Sequence, residues 1–590
     1  MSLRSLNELF YTVVERDHPA VMIHCSHSEW LPVSSRELYR QTVGVARALQ
    51  SWGIQPGDRV AILSENRPEW AVADFAIMLA GAASVPIFTT LHADQIRHVL
   101  NDSGARVTFV SSHDQLRKLT ALRDHCALEQ IVLMDPGIAA GVTPMRQLMQ
   151  AGPAERDAAF DRRARAVAPG SLATIIYTSG TTGAPKGAML TQENLASNLL
   201  HSLDLYDFHP GQLSVSFLPL SHVTARHVDY AMLWHGVTIA YCPFAEELLR
   251  TLAQLQPHFF VAVPRVYEKI RNQAEVRAGS GLRRKLFAWA LATGRRHRDE
   301  VARGLAPRSL AWRLADRLVF AKIRQALGGR VEIFISGGAP LGRDLIDWYL
   351  SVGVRILEGY GLTEASPVVA LNNPRHYRPG TVGRALANVE LRLAEDGEII
   401  LRGPSIFQGY WRRPEETRAV FAGEWLRTGD IGRLDADGFL TITDRKRDLL
   451  KTTAGKFIAP QPIEVRLRAH PLVAEALVLG DRRKFAAALI APHFPALEDW
   501  ASSRGLGGSR QHLVADARVL ALYKEIVAGV NRELADFERI RKIMLVADEF
   551  SVTSGALTPT LKLKRQVIEA RYQQQIDQLY GAELERGPAA

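Results

Sequence analysis

Tyr177-Thr178-Ser179-Gly180-Thr181-Thr182-Gly183-Ala184-Pro185-Lys186-Gly187 follows the apolar run Leu172-Ala173-Thr174-Ile175-Ile176. The run reads as a buried strand, so the glycine- and hydroxyl-rich stretch begins where that strand ends. Gly180, Gly183 and Gly187 free the backbone, Thr178, Ser179, Thr181 and Thr182 carry hydroxyls, and Lys186 carries an ammonium. That mixture suits a polyphosphate: glycine lets amides approach the oxygens, hydroxyls fill gaps, and the lysine offsets charge. It is a poor match to a Walker A loop, which needs G-x-x-x-x-G-K-[ST]. Here Ala184-Pro185 separates Gly183 from Lys186, and Gly187 follows the lysine.

Working outward from this strand, apolar runs alternate with helical patterns from about residue 35 to 335. Arg59–Leu63, Ala83–Ile87, Arg106–Val110, Gln130–Met134 and Thr238–Tyr241 read as strands, and Glu69–Ala80 as one of the helices between them. Such alternation predicts α/β layers with mainly parallel sheets. Pro86 inside its run predicts an edge strand or a strand end. Residues 136–170 read as an irregular connector. From about 380 to 443, short runs with Asp396-Gly397 and Asp437-Gly438 turns predict a β-rich subdomain. Beyond Asp444 a separate mixed α+β unit is expected, which divides the chain into 1–443 and 444–590.

The 590 residues exceed what one hydrophobic core holds, and 47% hydrophobic with 23% charged residues is ordinary for a globular protein. Cys25, Cys126 and Cys242 are scattered and odd in number, which gives no disulfide framework or metal spacing and fits a reducing cytoplasm. The first twenty residues lack the apolar core of a signal peptide, and no run is apolar and long enough to span a bilayer. The net charge of +10 is concentrated: residues 277–330 hold 14 Lys/Arg against 3 Asp/Glu, a net of +11. Leu286, Phe287, Trp289, Leu291, Leu310, Trp312 and Phe320 recur there at helical spacing. Two basic amphipathic helices broken near Gly304 and Pro307 are predicted. They either pack on the core with arginines in water or lie on the inner face of an anionic membrane. No reader motif for nucleic acid accompanies the charge.

Three further strings carry chemistry. Ser336-Gly337-Gly338-Ala339-Pro340 follows a strand and lets a flat ring approach the backbone at Gly338 and Ala339. In Glu358-Gly359-Tyr360-Gly361-Leu362-Thr363-Glu364, Tyr360 offers a ring to stack on a purine and Glu364 a hard oxygen for Mg²⁺. Thr428-Gly429-Asp430 ends in a carboxylate able to accept both hydrogens of a ribose diol. Thr443 to Lys451 is a charged punctuation between two domains, and Leu557 to Arg565 sets basic residues after a loop.

In this order the strings resemble the adenylate-forming superfamily, and within it the bacterial long-chain acyl-CoA synthetases, over nearly the whole chain. Phe217-Leu218-Pro219-Leu220-Ser221-His222-Val223 and Val263-Pro264-Arg265-Val266-Tyr267-Glu268-Lys269-Ile270 resemble the long-chain branch. The basic segment after Lys269 is similar to an insertion of that branch. The resemblance implies a large N-terminal domain of two α/β subdomains and a β-rich subdomain, with a small C-terminal domain that swings about a hinge. It implies ATP-dependent activation of a medium- to long-chain fatty acid to acyl-AMP, then transfer to coenzyme A with release of AMP. Thr178 to Lys186 would hold the β- and γ-phosphates, Tyr360 with Gly361 and Thr363 the adenine side, and Asp430 with Arg445 the ribose. Glu364 would bind Mg²⁺, Lys562 would bridge carboxylate and α-phosphate, and His222 would lie near the carboxylate. Arg447 falls at the hinge, and Lys451 and Gly455 face CoA. The chain departs from many relatives at Leu561, where they have glycine, at Arg447, where they have Asp or Lys, and in a longer Lys451–Lys456 stretch. Lys564 competes with Lys562 for the catalytic role. Two other functions stay open here: an acyl-AMP ligase loading a carrier protein, and a non-catalytic acyl or nucleotide binder on a membrane surface.

Overall fold

A computed structural model describes residues 3–581, apart from 138, 179–184, 204, 245, 454–455, 552–553 and 559–561. Two large sheets dominate the N-terminal part. The first, of eight strands, runs Gly409–Tyr410, Lys186–Thr191, Leu172–Thr178, Ala83–Ile87, Arg59–Leu63, Val107–Val110, Gln130–Leu133, Thr143–Pro144. Its pairs are parallel from Leu172–Thr178 onward, and the two strands at the other end pair antiparallel. The second, of nine strands, has a parallel centre in which Ile333–Ser336 lies between Phe259–Ala262 and Ile356–Gly361. A hairpin of Met22–Ser26 and Glu29–Val33 closes its far edge. The start of the chain thus belongs to the second sheet, although the next strands build the first.

The sheets share a layer of helices. Pro68–Leu79 is buried at every position except Glu69, as suits a helix that is apolar all round and has neighbours on every side. It packs against Leu6–Glu15 and Ser35–Ser51, and Val223–His235 joins the same core. One ion pair is sealed inside this layer: Arg226 Nη2 lies 2.7 Å from Asp74 Oδ1, both side chains under 3% exposed. Tyr230, Thr174 and Ser84 accept further guanidinium hydrogens. A buried pair is tolerable only when its other polar atoms are bonded in this way.

One sequence expectation is narrowed here and another changes. Pro86 lies in an interior strand, at its penultimate position, which meets the strand-end alternative and not the edge one. It shares parity with Ser84, and the pairing toward Leu172–Thr178 is confined to Ser84–Thr174, so the missing N–H falls where that ladder has ended. Residues 136–170 are not an irregular connector. They hold the helices Met145–Gln150 and Ala158–Arg165, and Asp161 accepts hydrogen bonds from Tyr11 (2.9 Å) and Tyr39 (3.0 Å) of the core.

The β-rich part is a five-stranded sheet of Glu390–Leu393, Glu398–Arg402, Trp425–Leu434, Phe421–Ala422 and Leu440–Arg445. The C-terminal part is a three-stranded sheet, Val473–Leu479, Ala486–Pro492 and Ile540–Leu545, with helices on both faces. It leans on the N-terminal part through the helix Pro460–Arg468. A Cβ on Gly342 would lie 2.7 Å from Val465 Cγ1 of that helix, and Arg265 forms an ion pair with Glu475. Arg468 backs the same carboxylate at 3.4 Å.

The basic segment is more broken than two helices. It consists of Gly281–Arg295, Arg298–Ala302, Leu310–Ala315, a π-helical turn Asp316–Phe320 and Ala321–Ala326. The break at 303–309 coincides with Gly304 and Pro307, as expected.

Candidate active site

The site forms where Leu172–Thr178 turns into Lys186–Thr191 and where the second sheet's parallel strands end. Open α/β sheets present ligands at such carboxyl ends. Thr178 and Lys186 face each other as the last pair of the hairpin, and Thr178 Oγ1 donates to the Lys186 carbonyl (3.4 Å). Ser179, Gly180, Thr181, Thr182 and Gly183 lie outside the described residues. The hairpin is anchored from behind: Tyr177 donates to Asp102 (2.7 Å), and the Trp411 N–H donates to the Gly187 carbonyl (2.7 Å). Asp102 is held in turn by Arg413 at 2.7 Å.

Gly338, at φ +82°, and Ala339 are exposed at the end of Ile333–Ser336. The strand Ile356–Gly361 then pairs antiparallel with Val368–Leu371. Gly361 is required there, because a Cβ would lie 2.1 Å from the Pro367 carbonyl oxygen. Thr363 is buried in the short 3₁₀ turn Thr363–Ala365 that carries Glu364.

Tyr360 and Asp430 are both buried, and the Tyr360 hydroxyl donates to Asp430 Oδ2 at 2.6 Å. Burial and the neighbouring Asp430 charge push the phenol well above its usual range, which fixes it as a donor. Asp430 and Arg445 pair across the strands Trp425–Leu434 and Leu440–Arg445, and Arg445 Nε lies 3.1 Å from Asp430 Oδ1. The carboxylate is therefore oriented from both sides. Thr428 shapes the preceding turn, since its Oγ1 accepts from the Asp430 N–H (3.1 Å).

Glu364 receives a hydrogen bond from the Tyr410 hydroxyl at 2.8 Å, and Lys186 Nζ stands 5.6 Å from the Tyr410 ring centroid. Tyr410 thus links the predicted metal ligand to the phosphate-loop lysine, a role the sequence reading did not assign. Among the described residues no group of three or more His, Cys, Asp or Glu forms a metal cluster. A lone oriented carboxylate fits Mg²⁺, which takes one or two protein carboxylates and draws its other ligands from water and phosphate.

Lys562 reaches this site from the C-terminal part. Leu557 bridges to Leu563 next to it, and the Lys562 N–H donates to Thr558 Oγ1 at 3.0 Å. The side chain remains open to water along the cleft, yet both domains crowd it. Desolvation, and then the Arg445 charge, lower its pKa from 10.5 to about 8, against the opposing pull of Asp430, Asp448 and Glu364. Lys564 instead precedes the helix Arg565–Arg571 as its N-terminal cap residue. His222 caps the helix Val223–His235, its Nδ1 accepting from the Thr224 N–H (3.2 Å). Burial, with Lys562 nearby, lowers its pKa to about 4, so the ring is neutral at physiological pH.

Arg447 is exposed just beyond the strand that ends at Arg445, and its charge is felt by Tyr410. Lys451 is exposed in the short strand Leu450–Lys451, its ammonium 5.5 Å from the Phe457 ring centroid, whereas Gly455 lies outside the described residues. The Arg265–Glu475 ion pair between the domains was also missed. Arg265 stood in a string noted for resemblance alone, and nothing local to it announces a partner 210 residues away.

Fold and site together describe a nucleotide-handling α/β enzyme closed by a C-terminal domain. The family described as AMP-binding enzyme matches residues 12–411, and the family of its C-terminal domain matches residues 447–584; the chain belongs to the AMP-binding enzyme family. A protein of Mycobacterium bovis named long-chain-fatty-acid–CoA ligase FadD15 is 39% identical over 581 residues, covering 96% of this chain and 96% of that protein. A mouse protein named long-chain-fatty-acid–CoA ligase ACSBG1 is 31% identical over 621 residues, covering 98% of this chain and 85% of that one. The solved adenylation domain of a carboxylate reductase from Mycobacterium chelonae is similar to the whole chain, with a TM-score of 0.75 at 26% identity. The match covers 98% of this chain and 91% of that one.

Proposed function

We propose that this enzyme activates a medium- to long-chain fatty acid with ATP and transfers the acyl group to coenzyme A. In the first half-reaction a carboxylate oxygen attacks the α-phosphorus of ATP, the bond to the β-phosphate oxygen breaks, and pyrophosphate leaves with the electron pair. In the second, the CoA sulfur attacks the acyl carbon of acyl-AMP, its thiol proton is lost to solvent, and AMP departs.

The observation that carries this reading is the Tyr360–Asp430–Arg445 arrangement, whose charges, with that of Glu364, act on Lys562. Such chemistry asks a protein chiefly for position and charge. Asp430, oriented by Tyr360 and Arg445, would accept the ribose hydroxyls. Gly338, Ala339 and Gly361 would lie along the adenine, and Thr178 to Lys186 would hold the leaving phosphates. Lys562 would neutralise charge between the attacking carboxylate and the α-phosphate. A neutral His222 would border the carboxylate without repelling the lysine. Glu364 would hold Mg²⁺, which when bound offsets triphosphate charge. We assign 1–443 to the substrate-binding domain and 444–590 to a domain that swings at Arg447, so that Lys451 and Gly455 replace Lys562 at the site for the CoA step.

No helix among the described residues is long and apolar enough to cross a membrane. We place the enzyme in the cytoplasm, with residues 277–330 as its contact to the inner membrane face.

The test is AMP release across fatty acids from short to long chain, with and without CoA. Release that depends on both acid and CoA and rises through the medium- and long-chain acids supports the reading. Acid-dependent pyrophosphate exchange without a CoA thioester would move the acceptor to a carrier protein, and no acid-dependent exchange would overturn catalysis itself.

A further inference from the structure

Of the 14 large hydrophobic residues exposed among those described, seven fall between Val276 and Leu318. The same region carries the +11 charge excess. The sequence left two accounts of these helices, and in the simpler one their apolar faces meet the core while the arginines face water. The structure shows that packing on one face and leaves further apolar residues outside it. The inward face is built without the exposed leucines: Phe287, Ala290, Trp312, Ala315, Val319 and Phe320 are all buried, and Leu286 and Leu291 pack against them. A Cβ on Gly294 would lie 1.9 Å from the Ser351 carbonyl oxygen, so the helix Gly281–Arg295 is already seated tightly on Arg343–Ser351.

A second apolar ridge remains outside. Leu310, Leu314 and Leu318 recur every four residues and are 82%, 51% and 36% exposed. Arg313 and Arg317 alternate with them. The helix Leu310–Ala315 packs beside Gly281–Arg295, which exposes Leu282 and Trp289 together with Lys285. The charge there is uncompensated. Of the 14 cations in 277–330, Arg298 and Arg324 alone pair with a carboxylate among the described residues, and Arg330 and Arg284 bond His258 and the Glu275 carbonyl instead.

We infer that the Leu310–Leu314–Leu318 ridge inserts into an anionic phospholipid bilayer, while Arg313, Arg317 and Lys285 meet the lipid phosphates. This deepens, and rests on, the membrane contact proposed above. A face with exposed leucines between cations suits the headgroup–acyl boundary, where the stems bury and the charges stay wet. Each cation near an anionic surface adds roughly fivefold to partitioning at low salt, and the gain shrinks as salt rises. The positioning has a chemical use, because an enzyme docked there meets an apolar acid where it is concentrated.

The experiment is co-sedimentation of the full-length protein with phosphatidylglycerol or phosphatidylcholine vesicles, at low and high salt. Compared are the wild type, a Leu310→Ser/Leu314→Ser variant and an Arg313→Gln/Arg317→Gln variant. All these side chains are exposed, and activity on a water-soluble acid without vesicles verifies folding and should be unchanged. The expected result is binding of the wild type to anionic vesicles at low salt. Partitioning should fall at least tenfold in the leucine variant, and the arginine variant should lose much of the salt dependence. A leucine variant that binds like the wild type overturns the ridge while the membrane contact survives. Equal binding to neutral vesicles overturns the role of the cations. A wild type that never sediments with anionic vesicles overturns the membrane contact too, and retained ligase activity leaves the proposed reaction untouched. Conversion of a dimer to a monomer by Leu310→Ser/Leu314→Ser, with vesicle binding unchanged, would assign the ridge to a second copy of the chain and overturn the inference.

Discussion

Lys562 supplies the most direct test of the closed arrangement. In water a lysine side chain keeps its charge to pH 10 and beyond, but in this cleft its pKa is lowered to about 8 by desolvation and by Arg445. The useful form is the ammonium, so activity should be full below this value and lost above it. A group with pKa 8 is about nine-tenths charged at pH 7 and about one-tenth charged at pH 9, so the rate should fall about tenfold across that interval. The assay is acid-dependent exchange of pyrophosphate into ATP, which isolates the first half-reaction. The limb should stand in kcat/KM, which reports the free enzyme, and move upward in kcat, because bound triphosphate favours the ammonium. Lys562→Arg keeps a positive charge throughout the range and should flatten the limb even if its absolute rate is lower. A kcat/KM that stays level from pH 7 to 9.5 would refute the crowding of Lys562. The same limb in Lys562→Arg would assign it to another group.

Other perturbations separate the remaining roles. Glu364→Ala should cost at least a hundredfold in pyrophosphate exchange with an unchanged circular dichroism spectrum; near-normal exchange with Mg²⁺ and ATP would remove the metal assignment. Arg447→Pro should restrict φ at the linker, sparing adenylation while CoA transfer from supplied acyl-AMP falls, and equal loss of both steps would misplace the hinge. Arg265→Ala leaves Glu475 with Arg468 alone, and should weaken domain closure by about 1–2 kcal/mol, or five- to thirtyfold. Adenylation should then suffer more than thioesterification, and a variant that slows only the CoA step would reverse the meaning of this contact.

How far each feature was legible depended on how local its physics is. The glycine at 361 and the turns at Asp396-Gly397 and Asp437-Gly438 each express a backbone need of a few consecutive residues, and the sequence alone located them. Strand and helix runs in the α/β part were legible for the same reason, since periodicity is read within one element. The sequence could flag Tyr360, Asp430, Arg445 and Lys562 as candidates through resemblance. Only packing made Tyr360 a hydrogen-bond donor to Asp430 across 70 positions and lowered the charge affinity of Lys562.

Several features had no local signature at all. Tyr410 supports Glu364 from 46 residues away, and the hairpin Met22–Val33 closes a sheet whose centre begins nearly 200 residues later. Pro86 announced an edge strand or a strand end but could not choose between them, because its effect on a ladder depends on where the neighbouring strand stops pairing. In 277–330 the composition established a basic, amphipathic segment. It did not say which leucines face the core, because two apolar faces on one helix look alike until a neighbour covers one of them. The sequence by itself determined the chemistry available to this protein and the order of its parts. The tertiary structure decided which distant groups share a cleft, which charges lose their water, and which apolar face was left without a partner, because desolvation and contact are properties of packing and not of order along the chain.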